Sequence, residues 1–132
     1  MTSPSVRVVR ATDLSDRTSQ TPGKVRRTAI DGESVGSRSL WVGRVSTGPG
    51  MKSGAHHHGD SETVSFVISG HVRMLFGDGL SESVEAGPGD YVYVPPHCIH
   101  VEVNASDSEP VEEIVVRDRP ENIVIPVEVP GA

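Results

Sequence analysis

The chain has one cysteine, Cys98, which excludes an internal disulfide. Aromatic residues are scarce, with one Trp, two Tyr and two Phe, and the basic residues are not interleaved with them, which argues against a nucleic-acid partner. No apolar run approaches the length of a membrane span. The N-terminus shows no basic stretch leading into an apolar signal segment, so a soluble, cytoplasmic protein without a membrane partner is expected. No nucleophile–His–Asp arrangement and no phosphate-cradling glycine loop is present, which turns the reading away from hydrolysis through a covalent intermediate. Helical periodicity is missing as well.

What the chain does have is turns. Fourteen Gly and ten Pro in 132 residues punctuate short alternating runs, the pattern of an all-β fold, and the length suits one domain. Charge is unevenly spread: residues 1–44 hold eight Lys/Arg against four Asp/Glu, residues 45–132 four against fourteen. A basic N-terminal arm packed on an acidic body, its own or a neighbour's, is one reading; two solvated surfaces of opposite sign is the other.

Residues 6–9 and 24–30 read as modest strands, and residues 11–21 as a loop or a single helical turn. Residues 39–45, around Trp41, read as the first strand of the main body. Trp41 is expected to pack in a core or a dimer face, with substrate stacking as its alternative. Residues 71–76 and 80–84 alternate around Gly77-Asp78-Gly79, and residues 112–117 form the last main strand. The proline-bracketed tail after residue 118 should lie on a sheet edge or across a partner. The chain is thus divided into an arm (1–38), a body (39–117) and an edge tail (118–132).

Chemistry concentrates in two stretches. The first reads Gly50 to Gly70 and carries His56-His57-His58 shortly before Glu62. Imidazoles beside a carboxylate are a ligand set favoured by divalent transition metals. In an extended strand His56 and His58 share a face while His57 points the other way, so His57 is read as a surface or supporting residue. The second stretch runs from Gly87 through Pro95-Pro96-His97-Cys98-Ile99-His100 to Asn104. His100, Glu102 and Asn104 share one strand face.

Together these stretches resemble the cupin superfamily. Its first motif, G-x5-H-x-H-x3,4-E-x6-G, matches Gly50, His56, His58 and Glu62; its second, G-x5-P-x-G-x2-H-x3-N, matches Gly89, Pro95, His100 and Asn104. The 18 residues between Gly70 and Gly89 are the short spacer of small microbial members. The resemblance implies an all-β, double-stranded β-helix (jelly-roll) barrel, commonly a homodimer that exchanges terminal strands. It also implies one divalent transition metal per chain (Fe, Mn, Ni, Co, Cu or Zn), held by His56, His58, Glu62 and His100.

The sequence departs from the motifs twice. His97 stands where the second motif has glycine. Seven residues rather than six separate Glu62 from Gly70, so counting back from the glycine lands on Thr63. Periodicity favours Glu62, because Val64, Phe66 and Ile68 share its face and an apolar face should be the inner one; a three-histidine site is the variant. Glu102 is the candidate catalytic base if it lines the cavity, an exposed cross-strand charge if it does not. Cys98 is read as a small half-buried residue near the site, with a redox or ligand role as its alternative.

The resemblance implies a metal-dependent protein acting on a small polar metabolite, with oxygenase, isomerase, cyclase or dehydratase chemistry. The alternative is a non-catalytic binding or sensing module with a structural metal.

Overall fold

A computed structural model describes residues 4–130. Strand β1 (Lys24–Ile30) is followed by one short helical turn, α1 (Gly32–Val35), and then by β2 (Trp41–Thr47). The ladder continues with β3 (His56–His57), β4 (Thr63–Ser69), β5 (Val72–Phe76), β6 (Glu82–Ala86), β7 (Tyr91–Val94), β8 (His100–Val103), β9 (Val111–Arg117) and β10 (Ile125–Pro126). Every pairing is antiparallel. One five-stranded sheet has the order β1-β2-β9-β4-β7 and the other β10-β3-β8-β5-β6. Apart from the β1–β2 and β5–β6 pairs, consecutive strands alternate between the two sheets, which makes the jelly roll of the expected all-β barrel.

The strands form where branched and aromatic residues alternate with polar ones. In β2, Trp41, Gly43, Val45 and Thr47 are buried while the residues between them are half-buried. In β9, Val111, Glu113, Val115 and Arg117 take the inner face. Gly70 closes the β4–β5 turn at φ 84°, where an added Cβ would lie 2.4 Å from the Pro110 carbonyl oxygen, so both its conformation and its space demand glycine.

The apolar core is split. Val67, Val72, Met74, Val94 and Val111 form one cluster, and Trp41, Val45 and Val115 another. Both contribute to the wall of a small interior cavity that is otherwise lined by ionisable and hydroxyl side chains. Trp41 is a core residue, 1% exposed, with its indole N–H donated to Thr28 Oγ1 at 3.0 Å.

Several expectations need correcting. Residues 6–9 form no strand; Val6 and Val8 are exposed, and no neighbouring strand offers them backbone partners. On β4 the inner face is Thr63, Ser65 and Val67, whereas Val64 and Ile68 are exposed and Phe66 half-buried. Apolar character misassigned this strand because the barrel encloses a polar site. The outer apolar residues stay largely exposed, although the Phe66 and Tyr91 rings lie 5.0 Å apart. The basic arm packs on its own barrel. Through β1 it becomes an edge strand and places Lys24 and Arg26 in the interior.

Candidate metal centre

β3 and β8 pair at a single register position, His56 opposite His100, and His58 follows His56 just beyond the end of β3. The three imidazoles are buried, at 0%, 4% and 3% exposure for His56, His58 and His100. One ring nitrogen from each lies within 4.8 Å of those of the other two. Each Nδ1 faces a backbone carbonyl: His56 that of Gly54 at 2.8 Å, His58 that of Ile123 at 2.7 Å, His100 that of Cys98 at 2.8 Å. A carbonyl can only accept, so each Nδ1 carries the proton and each Nε2 presents a lone pair. This is the outer hydrogen bonding that fixes tautomer and ring orientation in metal-ligating histidines.

Burial keeps these rings neutral. It lowers the His56 pKa to about 3, helped by the neighbouring His100. It lowers that of His100 to about 4 against the opposing pull of its Cys98 hydrogen bond. It lowers that of His58 further still, with Arg117 adding to the effect. Neutral imidazoles with converging lone pairs fit a divalent transition metal.

Glu62 stands apart from this group. Its side chain is on the outer surface, where it accepts the Tyr93 hydroxyl at 2.7 Å. Thr63 points inward instead, with its buried Oγ1 unpartnered. The expected four-residue ligand set therefore comes together as three histidines, with a hydroxyl on the strand face from which a carboxylate was expected. His57 is half-buried and accepts the Gly59 N–H through Nδ1. His97 is a mouth-loop residue in the left-handed conformation at φ 60°, which explains how it occupies a glycine position. Its Nε2 lies 2.6 Å from Asp60 Oδ1.

Glu102 lines the interior cavity and is not an exposed cross-strand charge. It pairs with Lys24 at 3.1 Å, both side chains buried, and accepts the Thr47 hydroxyl at 3.1 Å. Burial opposes its ionisation, but the Lys24 charge and its hydrogen bonds more than offset this and hold its pKa below the ordinary range. Glu113, a β9 residue lining the same cavity, accepts the Ser65 hydroxyl. Burial first, and the Glu102 charge second, raise its pKa to about 8. One buried carboxyl thus keeps its proton beside another that has lost it.

Lys24, Arg26, Glu113 and Arg117 were not singled out from the sequence. The available signal was alternation: Lys24 and Arg26 share a face of β1 with Thr28, and Glu113 and Arg117 share a face of β9 with Val115 between them.

The cavity enclosed by these groups, about 20 Å³, shares Met74, Val92, Val94 and His100 with a wider opening of about 270 Å³. Phe76, Val84, Pro95 and Cys98 also line the opening, so the approach to the histidines is apolar. Burial raises the Cys98 thiol pKa, which favours the unreactive form. Among the described residues no helix is long and apolar enough to cross a membrane.

Comparison with known proteins places this geometry. Among solved structures the chain is similar to the polyketide cyclase RemF from Streptomyces resistomycificus, with 19% identity over 96% of this chain and 89% of that one, and a TM-score of 0.74. It is also similar to an uncharacterised double-stranded β-helix protein from Klebsiella pneumoniae, with 18% identity, coverage of 94% and 99%, and a TM-score of 0.70. Oxalate decarboxylase from Bacillus subtilis aligns at 22% identity over 82% of this chain but 28% of that one, with a TM-score of 0.70. These likenesses establish the fold. No curated protein matches significantly. The cupin domain family profile (Cupin_2) matches residues 43–117, a span that runs from β2 to the end of β9 and includes all three histidines. The chain is therefore a member of the cupin domain family.

Proposed function

We propose that the protein is a metal-dependent enzyme that performs proton-transfer chemistry, of the isomerase, cyclase or dehydratase kind, on a small oxygenated metabolite. The observation that carries this reading is the convergence of three Nε2 lone pairs, each fixed by an Nδ1 contact to a backbone carbonyl. His56, His58 and His100 would hold one divalent transition metal, which when bound supplies Lewis acidity at a substrate oxygen. Three protein ligands leave positions free for substrate or water.

The chain's own residues account for the proton. Glu102, ionised but weakened as a base by Lys24, can take up a proton as one is lost from the substrate, and Glu113, protonated in the same cavity, can return one. Met74, Val92 and Val94, between the cavity and its opening, keep bulk water from these groups. The exposed outer face of the first sheet, with Val64, Ile68, Tyr91, Tyr93 and Ile114, supports a homodimer, and the buried site is consistent with a small-molecule partner.

Elemental analysis of untagged protein tests the metal: one ion per chain is expected, and its loss in His56→Ala, His58→Ala and His100→Ala. Calorimetry with small oxygenated metabolites before and after chelation separates the readings. Binding that needs the metal supports the enzyme. Equal binding without it supports a non-catalytic module, and a fall only in melting temperature supports a structural ion.

A further inference from the structure

Two buried guanidiniums face the histidines without a carboxylate to neutralise them. Arg26 is 0% and Arg117 2% exposed, and among the described residues neither makes a salt bridge. Arg26 donates through Nη1 to Thr21, and its Nη2 lies 3.4 Å from His56 Nε2. Nη2 of Arg117 lies 3.4 Å from His58 Nε2. Arg26 Nε and Arg117 Nε and Nη1 are buried with no hydrogen-bond partner. Arg117 is held in place by stacking, its guanidinium carbon 5.3 Å from the Trp41 ring centroid. An arginine keeps its charge, and a buried charge left unpaired is costly unless something compensates it. The nearby Glu102 and Glu113 act on both arginines only through space, because Glu102 is paired with Lys24, Glu113 is hydrogen-bonded to Ser65, and neither is bonded to a guanidinium. A divalent metal would add to the positive charge.

We infer that Arg117, with Arg26 contributing its charge from behind the cavity wall, gives the metal centre an anion subsite, and that the substrate is a small organic acid whose carboxylate or enolate oxygen enters the cavity beside Arg117, His58 and His100. The inference deepens the metal-site reading and rests on it only for the histidines' role. Space narrows the class further. The cavity of about 20 Å³ accepts roughly one water-sized group, so a single oxygen can enter while the bulk of the anion stays in the opening, where a carboxylate is smaller and less strongly hydrated than a tetrahedral phosphate. The apolar opening of about 270 Å³ would take the rest of the molecule, which is therefore apolar and compact.

The test is calorimetric titration of acetate, isobutyrate and benzoate, each against its amide, into zinc-loaded and chelated protein, with inorganic phosphate as a further probe. At least one acid should bind zinc-loaded protein roughly tenfold to hundredfold more tightly than its amide. The same preference should shrink in Arg117→Met and Arg26→Met while zinc content stays at the wild-type level. Arg117→Lys, which keeps the charge but loses the planar fork, should fall between. Acid and amide binding alike, no binding by any acid, or tighter binding of phosphate would overturn the inference, and the wild-type comparison decides this even if a variant fails to fold. Acid preference in protein that takes up no zinc would uphold the subsite and reject the metal.

Discussion

Thr63 sits directly opposite Arg117 in the β4–β9 ladder, and both side chains are buried in the barrel. This pair occupies the place where a motif carboxylate, counted back from Gly70, would have stood, so the strand supplies a hydroxyl facing a cation. Thr63→Glu should therefore restore an acidic ligand, and zinc affinity should rise about tenfold, or ~1.4 kcal/mol, in competition with a chelator. The new carboxylate would also pair with Arg117 and abolish the preference for acids over amides. Glu62→Gln should leave zinc affinity unchanged, since Glu62 contacts Tyr93 outside the barrel.

Metal-free protein should lose stability in acid sooner than carboxylates alone would dictate. The buried His100 and His56 titrate at about 4 and about 3, below the unfolded value of about 6.5. The unfolded chain therefore binds more protons as pH falls below ~6.5, and each ring removes up to ~1.4 kcal/mol per pH unit until its folded pKa is reached. Chemical denaturation of the chelated protein between pH 7 and 4 should show this slope, and His100→Gln should flatten it.

Glu113 works in the opposite direction. Its folded pKa of about 8 lies above the unfolded value, so its contribution is complete below ~4.5 and fades as pH rises towards 8. Glu113→Gln, which mimics the protonated form, should be close to neutral at pH 5 and stabilising at pH 9 in denaturant melts. Glu102→Gln should instead cost about 3–5 kcal/mol at pH 7, because it leaves Lys24 buried and unpaired. Adding Lys24→Met should recover most of that loss.

The left-handed backbone at His97 costs about 1 kcal/mol in a residue with a Cβ. His97→Gly should leave the melting temperature unchanged or slightly raised, despite the lost contact to Asp60, and His97→Val should lower it. Both should bind zinc normally, because His97 lies outside the histidine cluster.

The barrel and the cluster of His56, His58 and His100 were legible in the chain, the barrel and the first two histidines from local rules and His100 from its place in the second motif. Turn residues bracket alternating strands, and His56 and His58 must share a strand face. The side of β4 that faces inward was not legible, because hydrophobicity marks an interior only when that interior is apolar. Here Thr63, Ser65, Glu102, Glu113 and both arginines are inside, and Val64 and Ile68 are outside. The pairing of Lys24 with Glu102 joins residues far apart in sequence, which no local pattern encodes. The charge asymmetry hinted at it without identifying the partners.

The Ile123 carbonyl that orients His58 belongs to the tail that adds β10 to the edge of the second sheet. A metal held by these histidines would therefore share a free energy with tail docking, and whatever strengthened one would strengthen the other by the same factor. A length of chain that looks peripheral is thus tied to the site: anything that peels it from the sheet edge removes the hydrogen bond that holds the His58 ring and would weaken any ion bound there.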